Sequence, residues 1–204
     1  CLICSLAAFY KKVPVGHVEA GLRTHDIYSP FPEEMNRKLV GNIATLHYCP
    51  TELNRSNLLT ENIEDSSIFV TGNTAIDALN TTVGTDYTFN CDDLNKIYYQ
   101  NNRVILLTAH RRENLGKPLE NICEAVLDIA ENFKDVIFVY PVHPNPAVQN
   151  TVRAKLNGKP RIILTDMLDV RDLHNLMKRT YIVMTDSGGL QEEAPALGKP
   201  VLVL

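Results

Sequence analysis

The sequence contains no long apolar run, no excess of positive charge and no patterned set of cysteines. Its longest apolar runs, such as Val201–Leu204 and Ile162–Leu164, are far too short to cross a bilayer, so we expect no membrane partner. A net charge of -4 gives no general affinity for nucleic-acid phosphates, so we expect no nucleic-acid partner. The 5 cysteines are odd in number and scattered along the chain, which predicts a reducing, cytoplasmic location.

Motifs that would identify a cofactor are also missing. There is no G-x-G-x-x-G after a strand, no G-x-x-x-x-G-K-[ST] and no H-E-x-x-H, so nothing indicates a nicotinamide cofactor, a P-loop or a zinc site. Cys1 and Cys4 form a single C-x-x-C, which is more typical of small apolar residues on a helix than of a metal or redox site. We therefore expect no cofactor and no metal.

From Arg103 onward the sequence repeats one order: a short apolar strand, a polar loop and an amphipathic helix. The strands are continuously apolar rather than alternating, as in sheets that are covered on both faces. They are predicted at Val104–Thr108, Val136–Tyr140, Ile162–Leu164, Tyr181–Met184 and Val201–Leu204. This order predicts an α/β fold with a doubly wound parallel sheet.

Residues 1–80 follow a looser version of the same order. The predicted elements are a helix to about Tyr10, a strand at Val13–Val18, a helix from Pro32 to about Ile43, a strand at Leu46–Cys49, a helix with Thr51 as N-cap, and a strand at Ile68–Thr71. Residues 81–102 are polar and poor in strand signals, which is typical of a connection between domains. We therefore predict an N-terminal α/β domain in 1–80, a connection in 81–102 and a C-terminal α/β domain in 103–204.

The predicted strands of the C-terminal domain end in polar loops, and ligands of open α/β sheets bind beyond such strand ends. His110, Arg111 and Arg112 follow the first strand, and this combination favours an anion site over a structural histidine. Ser187-Gly-Gly189 precedes a helix expected to begin around Leu190. That loop is typical either of phosphate binding or of a plain helix cap.

Two further carboxylates are ambiguous at this level. Glu193 follows the glycines closely enough to reach a ribose hydroxyl, although a surface glutamate would look the same. Glu33 and Arg37 share one face of a helix, and we expect Met35, Leu39 and Ile43 to form the opposite, core-facing side. Glu33 is then either half of an exposed ion pair or a carboxylate in a cleft.

Six short blocks together resemble the non-hydrolysing UDP-N-acetylglucosamine 2-epimerases. In family order they are His17-Val-Glu-Ala-Gly-Leu-Arg-Thr24, Ser29-Pro-Phe-Pro-Glu-Glu-Met-Asn-Arg37, Thr71-Gly-Asn-Thr74, Thr108-Ala-His-Arg-Arg-Glu-Asn114, Pro141-Val-His-Pro-Asn-Pro146 and Thr185-Asp-Ser-Gly-Gly-Leu-Gln-Glu-Glu-Ala194. The resemblance implies two Rossmann-like domains in a glycosyltransferase-B-like architecture, with the active site in the cleft between them. It also implies interconversion of UDP-N-acetylglucosamine and UDP-N-acetylmannosamine for cell-surface polysaccharide synthesis, and a homodimer.

The resemblance also assigns roles to residues of this sequence. It implies Glu19 and Glu33 as acid–base carboxylates and His110 beside the departing UDP. The implied binding residues are Arg37, Arg111 and His143 lining the cleft, Leu168 and Leu173 in the loop beside uracil, Ser187, Gly188 and Gly189 around the diphosphate, and Glu193 at the ribose. Glu33, Arg111 and His143 would also border a second UDP-N-acetylglucosamine that acts as an allosteric activator.

Two departures from the family pattern affect what we expect of this chain. The family's catalytic Asp, on a Gly-Asp-Thr turn, would fall before Cys1, and the Arg-Pro-Glu segment would fall after Leu204. We therefore expect this chain alone to be inactive as a truncated piece. A UDP-sugar glycosyltransferase of the same fold, a hydrolysing epimerase and a non-catalytic UDP-sugar binding module remain alternatives, although the Pro32–Arg37 block disfavours the hydrolysing enzymes.

Overall fold

The computed structural model describes every residue from 1 to 204 and divides into two compact units, Cys1–Thr74 and Ala75–Leu204. The helices are α1 (Leu2–Tyr10), α2 (Glu33–Ile43), α3 (Glu52–Thr60), α4 (Thr74–Thr82), α5 (Asp92–Asn95), α6 (Lys117–Asn132), α7 (Pro146–Leu156), α8 (Val170–Arg179) and α9 (Gly188–Ala196). The strands are β1 (Gly16–Val18), β2 (Leu46–Cys49), β3 (Ile68–Val70), β4 (Arg103–Thr108), β5 (Val136–Pro141), β6 (Ile162–Thr165), β7 (Ile182–Thr185) and β8 (Val201–Val203). No helix has both the length and the apolar character needed to cross a bilayer.

The second unit contains a five-stranded parallel sheet in the order β6-β5-β4-β7-β8. Residues of α6 and α7 pack in one apolar cluster, and residues of α8 and α9 pack in a second one. Helices on both faces explain why these strands are continuously apolar. The predicted α/β fold with parallel sheets is confirmed, and the strand order reverses direction between β4 and β7.

The segment 81–102, predicted as a connection, belongs to the second unit. Its Phe89, Leu94 and Ile97 are buried in the cluster that contains α8 and α9. The buried carboxylate of Asp172 in α8 accepts hydrogen bonds from the Tyr87 hydroxyl (2.7 Å) and from backbone N–H groups in the same segment. The segment is therefore packed into the second unit through a few large apolar side chains, although most of its residues are polar.

The first unit contains a three-stranded parallel sheet in the order β1-β2-β3. Strand β1 covers only Gly16–Val18, rather than Val13–Val18, because only these residues pair with β2. A small core of Ala20, Cys49, Leu58 and Ile68 lies against this sheet.

The predicted core face of α2 is wrong. Met35 and Leu39 are exposed, whereas Glu34, Val40 and Gly41 are buried. Glu34 faces inward, and its Oε1 accepts a hydrogen bond from the His25 backbone N–H (3.2 Å). Met35 and Leu39 lie on the side of the helix that is turned toward solvent.

The loop after β1 is fixed by the start of α3. Thr51 caps α3 as predicted, and its side chain and that of Asn54 form a reciprocal capping box. The Asn54 and Asn57 amides both donate to the carbonyl of Gly21, which has φ +80°. A Cβ at Gly21 would lie 2.2 Å from the Asn54 carbonyl oxygen, so only glycine fits there.

We predict that Gly21→Ala strongly destabilises the first unit. The matched control is Gly72→Ala, because Gly72 has the same φ of +80° but nothing within 4 Å of an added Cβ. The control substitution should lower the stability of the first unit by about 1 kcal/mol through backbone strain alone. Gly21→Ala should lower it by about 2 kcal/mol more, because the backbone at Asn54 must also shift. Hydrogen–deuterium exchange on peptides from residues 1–74 measures both changes; equal effects would contradict the proposed clash.

Candidate functional site

The candidate site lies where the strand order of the second unit reverses, beyond the carboxyl ends of β4 and β7. Thr108 and Thr185, the last residues of these strands, are joined by a buried hydrogen bond of 2.6 Å between their hydroxyls. The loops that follow, starting at Ala109 and Asp186, therefore leave the sheet side by side. Open α/β sheets bind ligands at this kind of reversal point.

Asp186 connects these two loops. Its carboxylate is buried, and Oδ2 accepts hydrogen bonds from the backbone N–H groups of His110 (2.7 Å) and Arg111 (2.7 Å) and from Asn114 Nδ2 (3.0 Å). On the neighbouring strand, the hydroxyl of Tyr140 donates to the carbonyl of Ala109 (2.7 Å). The backbone on both sides of the His110 amide is thus held by buried polar groups.

Asp186 also orients the side chain of His110, whose Nδ1 lies 3.2 Å from Oδ1 of the carboxylate. Burial alone would raise the pKa of Asp186, but hydrogen bonds from His110, Arg111 and Asn114 hold it well below its usual range. The ionised carboxylate favours a proton on Nδ1 of His110. Nε2 is then the ring atom available to exchange a proton or a hydrogen bond with a ligand.

Helix α9 begins at Gly188, earlier than the predicted start around Leu190. Ser187 is the N-cap residue, but its hydroxyl does not cap the helix, which weakens the interpretation of this loop as a plain cap. A Cβ at Gly188 would lie 3.4 Å from Nη2 of Arg111, so the guanidinium is close to the helix start. Backbone N–H groups at a helix N-terminus beside an arginine form a favourable site for an anion such as a phosphate.

A cavity of about 300 Å³ opens at this edge of the sheet. It is lined by Thr108, Ala109, His110, Pro141, His143, Met167, Leu168, Val170, Leu173, His174, Ser187, Gly189, Leu190 and Glu193. The predicted residues His110, His143, Leu168, Leu173, Ser187, Gly189 and Glu193 are all in this lining. The lining is mixed: the loop before α8 and the first turn of α8 supply apolar side chains, and the loops after β4, β5 and β7 supply polar ones.

His143 lies against His110, with ring centroids 5.0 Å apart and an angle of 5° between the rings. Nδ1 of His143 accepts a hydrogen bond from the Asn145 backbone N–H (3.1 Å), so the neutral ring carries its proton on Nε2. The two stacked imidazoles are therefore held in different tautomers by different partners.

The remaining predicted residues, Glu19, Glu33 and Arg37, belong to the first unit. Glu19 and Glu33 are exposed, and Glu19 has a φ of 60°, which is uncommon for a residue with a side chain. His17, in the same motif as Glu19, is buried; burial and the neighbouring His47 lower the pKa of His17 to about 4. His17 is therefore a neutral structural residue, and Glu19 is the member of this motif that is accessible for chemistry.

The structure adds two residues that sequence reasoning did not assign to the site, Asp186 and His174. Asp186 stands in a motif that the sequence singled out, but its partner loop is known only once β4 and β7 are seen to be neighbours. His174 lies in α8 with its Nε2 3.5 Å from Oε2 of Glu193. Its position on a strongly amphipathic helix gave no signal of a ligand site.

A family model described as UDP-N-acetylglucosamine 2-epimerase matches residues 1–204 of the chain. The UDP-N-acetylglucosamine 2-epimerase of Bacillus subtilis is 54% identical over 98% of this chain and 52% of that protein. The Escherichia coli K12 enzyme of the same name is 50% identical over 100% of this chain and 55% of that protein. The chain spans about half the length of the curated relatives it matches.

Solved structures show the same likeness. The S. aureus MnaA–UDP complex superposes with a TM-score of 0.93 at 52% identity, covering 100% of this chain and 55% of that one. The Neisseria meningitidis UDP-GlcNAc 2-epimerase bound to UDP-GlcNAc superposes with a TM-score of 0.87 at 42% identity, covering 100% of this chain and 56% of that one.

We predict that Asp186→Asn destabilises the second unit in a pH-dependent way. The unfolded chain takes up a proton on this carboxyl near pH ~3.9, whereas the folded protein, with its lowered pKa, does not. The carboxylate therefore stabilises the fold above that pH, and this contribution is lost as the pH falls below it. The free energy of unfolding of the variant should be about 2 kcal/mol lower than that of the native protein at neutral pH. This difference should become smaller at acidic pH.

Urea denaturation at a series of pH values between about 7 and 3 measures this difference. The matched control is Asp135→Asn, because the exposed Asp135–Arg103 pair also lowers the pKa of its carboxyl. That control should show a much smaller change that added salt removes. A loss at Asp186 that is independent of pH would contradict the proposed role of its charge.

Proposed function

Because the chain belongs to the UDP-N-acetylglucosamine 2-epimerase family, we propose that the native protein interconverts UDP-N-acetylglucosamine and UDP-N-acetylmannosamine. The observation that carries the proposal is the placement of His110, oriented by Asp186, beside the glycine-rich start of α9. This arrangement combines an oriented imidazole, which donates from Nε2 once protonated, with a diphosphate site, as departure of UDP from a sugar requires.

The second unit would bind the UDP portion. The N–H groups of Gly188 and Gly189, the hydroxyl of Ser187 and the guanidinium of Arg111 would stabilise the diphosphate. Leu168 and Leu173, which line the cavity, would lie against uracil, and the Glu193 carboxylate would accept hydrogen bonds from ribose hydroxyls. A cavity lined by both apolar and polar side chains is suited to a nucleotide, which has an apolar base and polar ribose hydroxyls.

The first unit would supply the acid–base chemistry through Glu19 and Glu33. A carboxylate removes the C2 proton, the C2–H electrons form the C1=C2 double bond, and the C1–O bond breaks with its electrons going to UDP. His110, in its imidazolium form with a proton on both ring nitrogens, would donate from Nε2 to the departing diphosphate. Re-addition of UDP to 2-acetamidoglucal, with protonation of C2 from the other face, completes the inversion, so acid–base groups are needed on both faces.

Allosteric activation is a finer part of the proposal. A second UDP-N-acetylglucosamine beside Glu33, Arg111 and His143 would contact a ring that stacks directly on His110. A ligand bound there would therefore influence the orientation of the His110 imidazole beside the leaving group. We further propose a cytoplasmic homodimer that supplies cell-surface polysaccharide synthesis.

A second candidate function is non-catalytic binding of a UDP-sugar. It is favoured by one observation: the cavity with His110 and Glu193 lies entirely within the second unit. The two functions differ in whether the carboxylates of the first unit act on the sugar.

Proton NMR of UDP-N-acetylglucosamine in deuterated water distinguishes the two functions. The native protein should exchange the C2 proton for deuterium, and Glu33→Gln should slow this exchange at least about 100-fold while changing UDP affinity little, because an amide cannot accept the proton. Glu64→Gln, at another exposed glutamate of the first unit, is the matched control and should exchange normally. Absence of exchange in the native protein, with UDP still bound, would favour the non-catalytic module.

A further inference from the structure

His174 is a buried histidine that bridges the Glu193 carboxylate and α4. Its Nε2 lies 3.5 Å from Oε2 of Glu193, and its Nδ1 lies 2.7 Å from Oγ1 of Thr82. The exposed fractions of the two side chains are small, 6% for His174 and 16% for Glu193. In a setting with so little water, the contact between the imidazole and the carboxylate is not replaced easily by solvent.

The carboxylate selects the tautomer of this histidine. A neutral ring with a lone pair on Nε2 would repel the Glu193 oxygen, so the proton belongs on Nε2 and is directed at the carboxylate. Nδ1 then accepts a hydrogen bond from the Thr82 hydroxyl, which in this arrangement donates to the ring rather than to the Ala78 carbonyl 3.0 Å from its oxygen. Thr82 thus fixes the ring, and the ring fixes one oxygen of Glu193.

The helix that carries His174 is itself firmly held. The side chain of Asp169 caps α8, and Asn175, next to His174, donates to the Thr82 carbonyl (2.8 Å) and accepts from the Gly84 N–H (2.9 Å). These hydrogen bonds hold α8 in a fixed position relative to the end of α4. His174 therefore has little freedom to move with a ligand.

We propose that His174 is a positioning residue that holds the Glu193 carboxylate in the orientation that accepts hydrogen bonds from both ribose hydroxyls. The inference rests on the proposed function, in which Glu193 meets the ribose. A carboxylate has two acceptor oxygens, and the neighbouring 2′- and 3′-hydroxyls offer two donors at a fixed spacing. A carboxylate whose plane is fixed can accept hydrogen bonds from both hydroxyls at once. A freely rotating carboxylate loses entropy when it binds them, so it distinguishes ribose from deoxyribose less well.

The consequence is a preference for ribose over deoxyribose that depends on His174. In the native polypeptide, isothermal titration calorimetry should show that UDP binds roughly ten- to hundredfold more tightly than 2′-deoxy-UDP or 3′-deoxy-UDP, the factor supplied by hydrogen bonds to a charged group. His174→Asn retains a partner for Thr82 but cannot reach Glu193. It should reduce this preference to within about threefold.

Two further variants test whether the contacts of His174 with Glu193 and with Thr82 produce the preference for ribose. His174→Gln places an amide N–H near the position of Nε2 and should restore most of the preference. Thr82→Val removes the hydroxyl that fixes the ring and should give an intermediate preference. His47→Asn is the matched control, because His47 is a buried histidine of the first unit bonded to the Gly41 carbonyl; the preference for ribose should not change.

Each outcome decides one question. A His174→Asn variant that weakens UDP and both deoxy analogues by the same factor, with the melting temperature lowered as in the His47 control, would show a merely structural role and overturn the inference. Glu193→Gln should abolish the preference for ribose, so this variant gives the affinity ratio expected when the carboxylate contributes nothing. Failure of the native protein to bind UDP at all would instead overturn the proposed function.

Discussion

The carboxylate of Asp186 is the group on which the candidate site depends. It is buried, and a buried charge is tolerated only when donors surround it. The donors here are backbone N–H groups of His110 and Arg111, so the requirement to satisfy one charge fixes the path of a neighbouring loop. The imidazole and the start of α9 are thereby arranged before any ligand arrives, which is the condition for stabilising developing charge without reorganisation.

Much of the second unit was predictable from sequence because its strands are buried on both faces and therefore read as apolar runs. The predicted boundaries of β4 to β8 differ from the observed ones by about one residue at either end, as fraying ends usually do. The role of Asp186 was not predictable in the same way. It depends on β7 lying beside β4, and strands so far apart in sequence become neighbours through the topology of the whole sheet.

The errors in the first unit have a different origin. Apolar spacing on α2 indicated Met35 and Leu39 as the core face, but the helix buries Glu34, whose Oε1 accepts a hydrogen bond from the His25 backbone N–H. Hydrophobic periodicity contains no information on a carboxylate that is buried against a neighbouring loop. In the second unit, the packing of segment 81–102 was not predictable for a similar reason, because Phe89 and Leu94 are buried without forming a regular sequence pattern.

The proposed chemistry divides between the units in a way that follows from what each can hold. Under the proposed function, the second unit would hold the diphosphate at the start of α9 and the ribose at Glu193, and these contacts would supply binding energy. The first unit presents Glu19 on a strained turn that Gly21 and α3 hold in place, and this carboxylate would act as a base. Binding energy from the remote nucleotide would then serve to orient C2 of the sugar, which is how an enzyme converts affinity into rate.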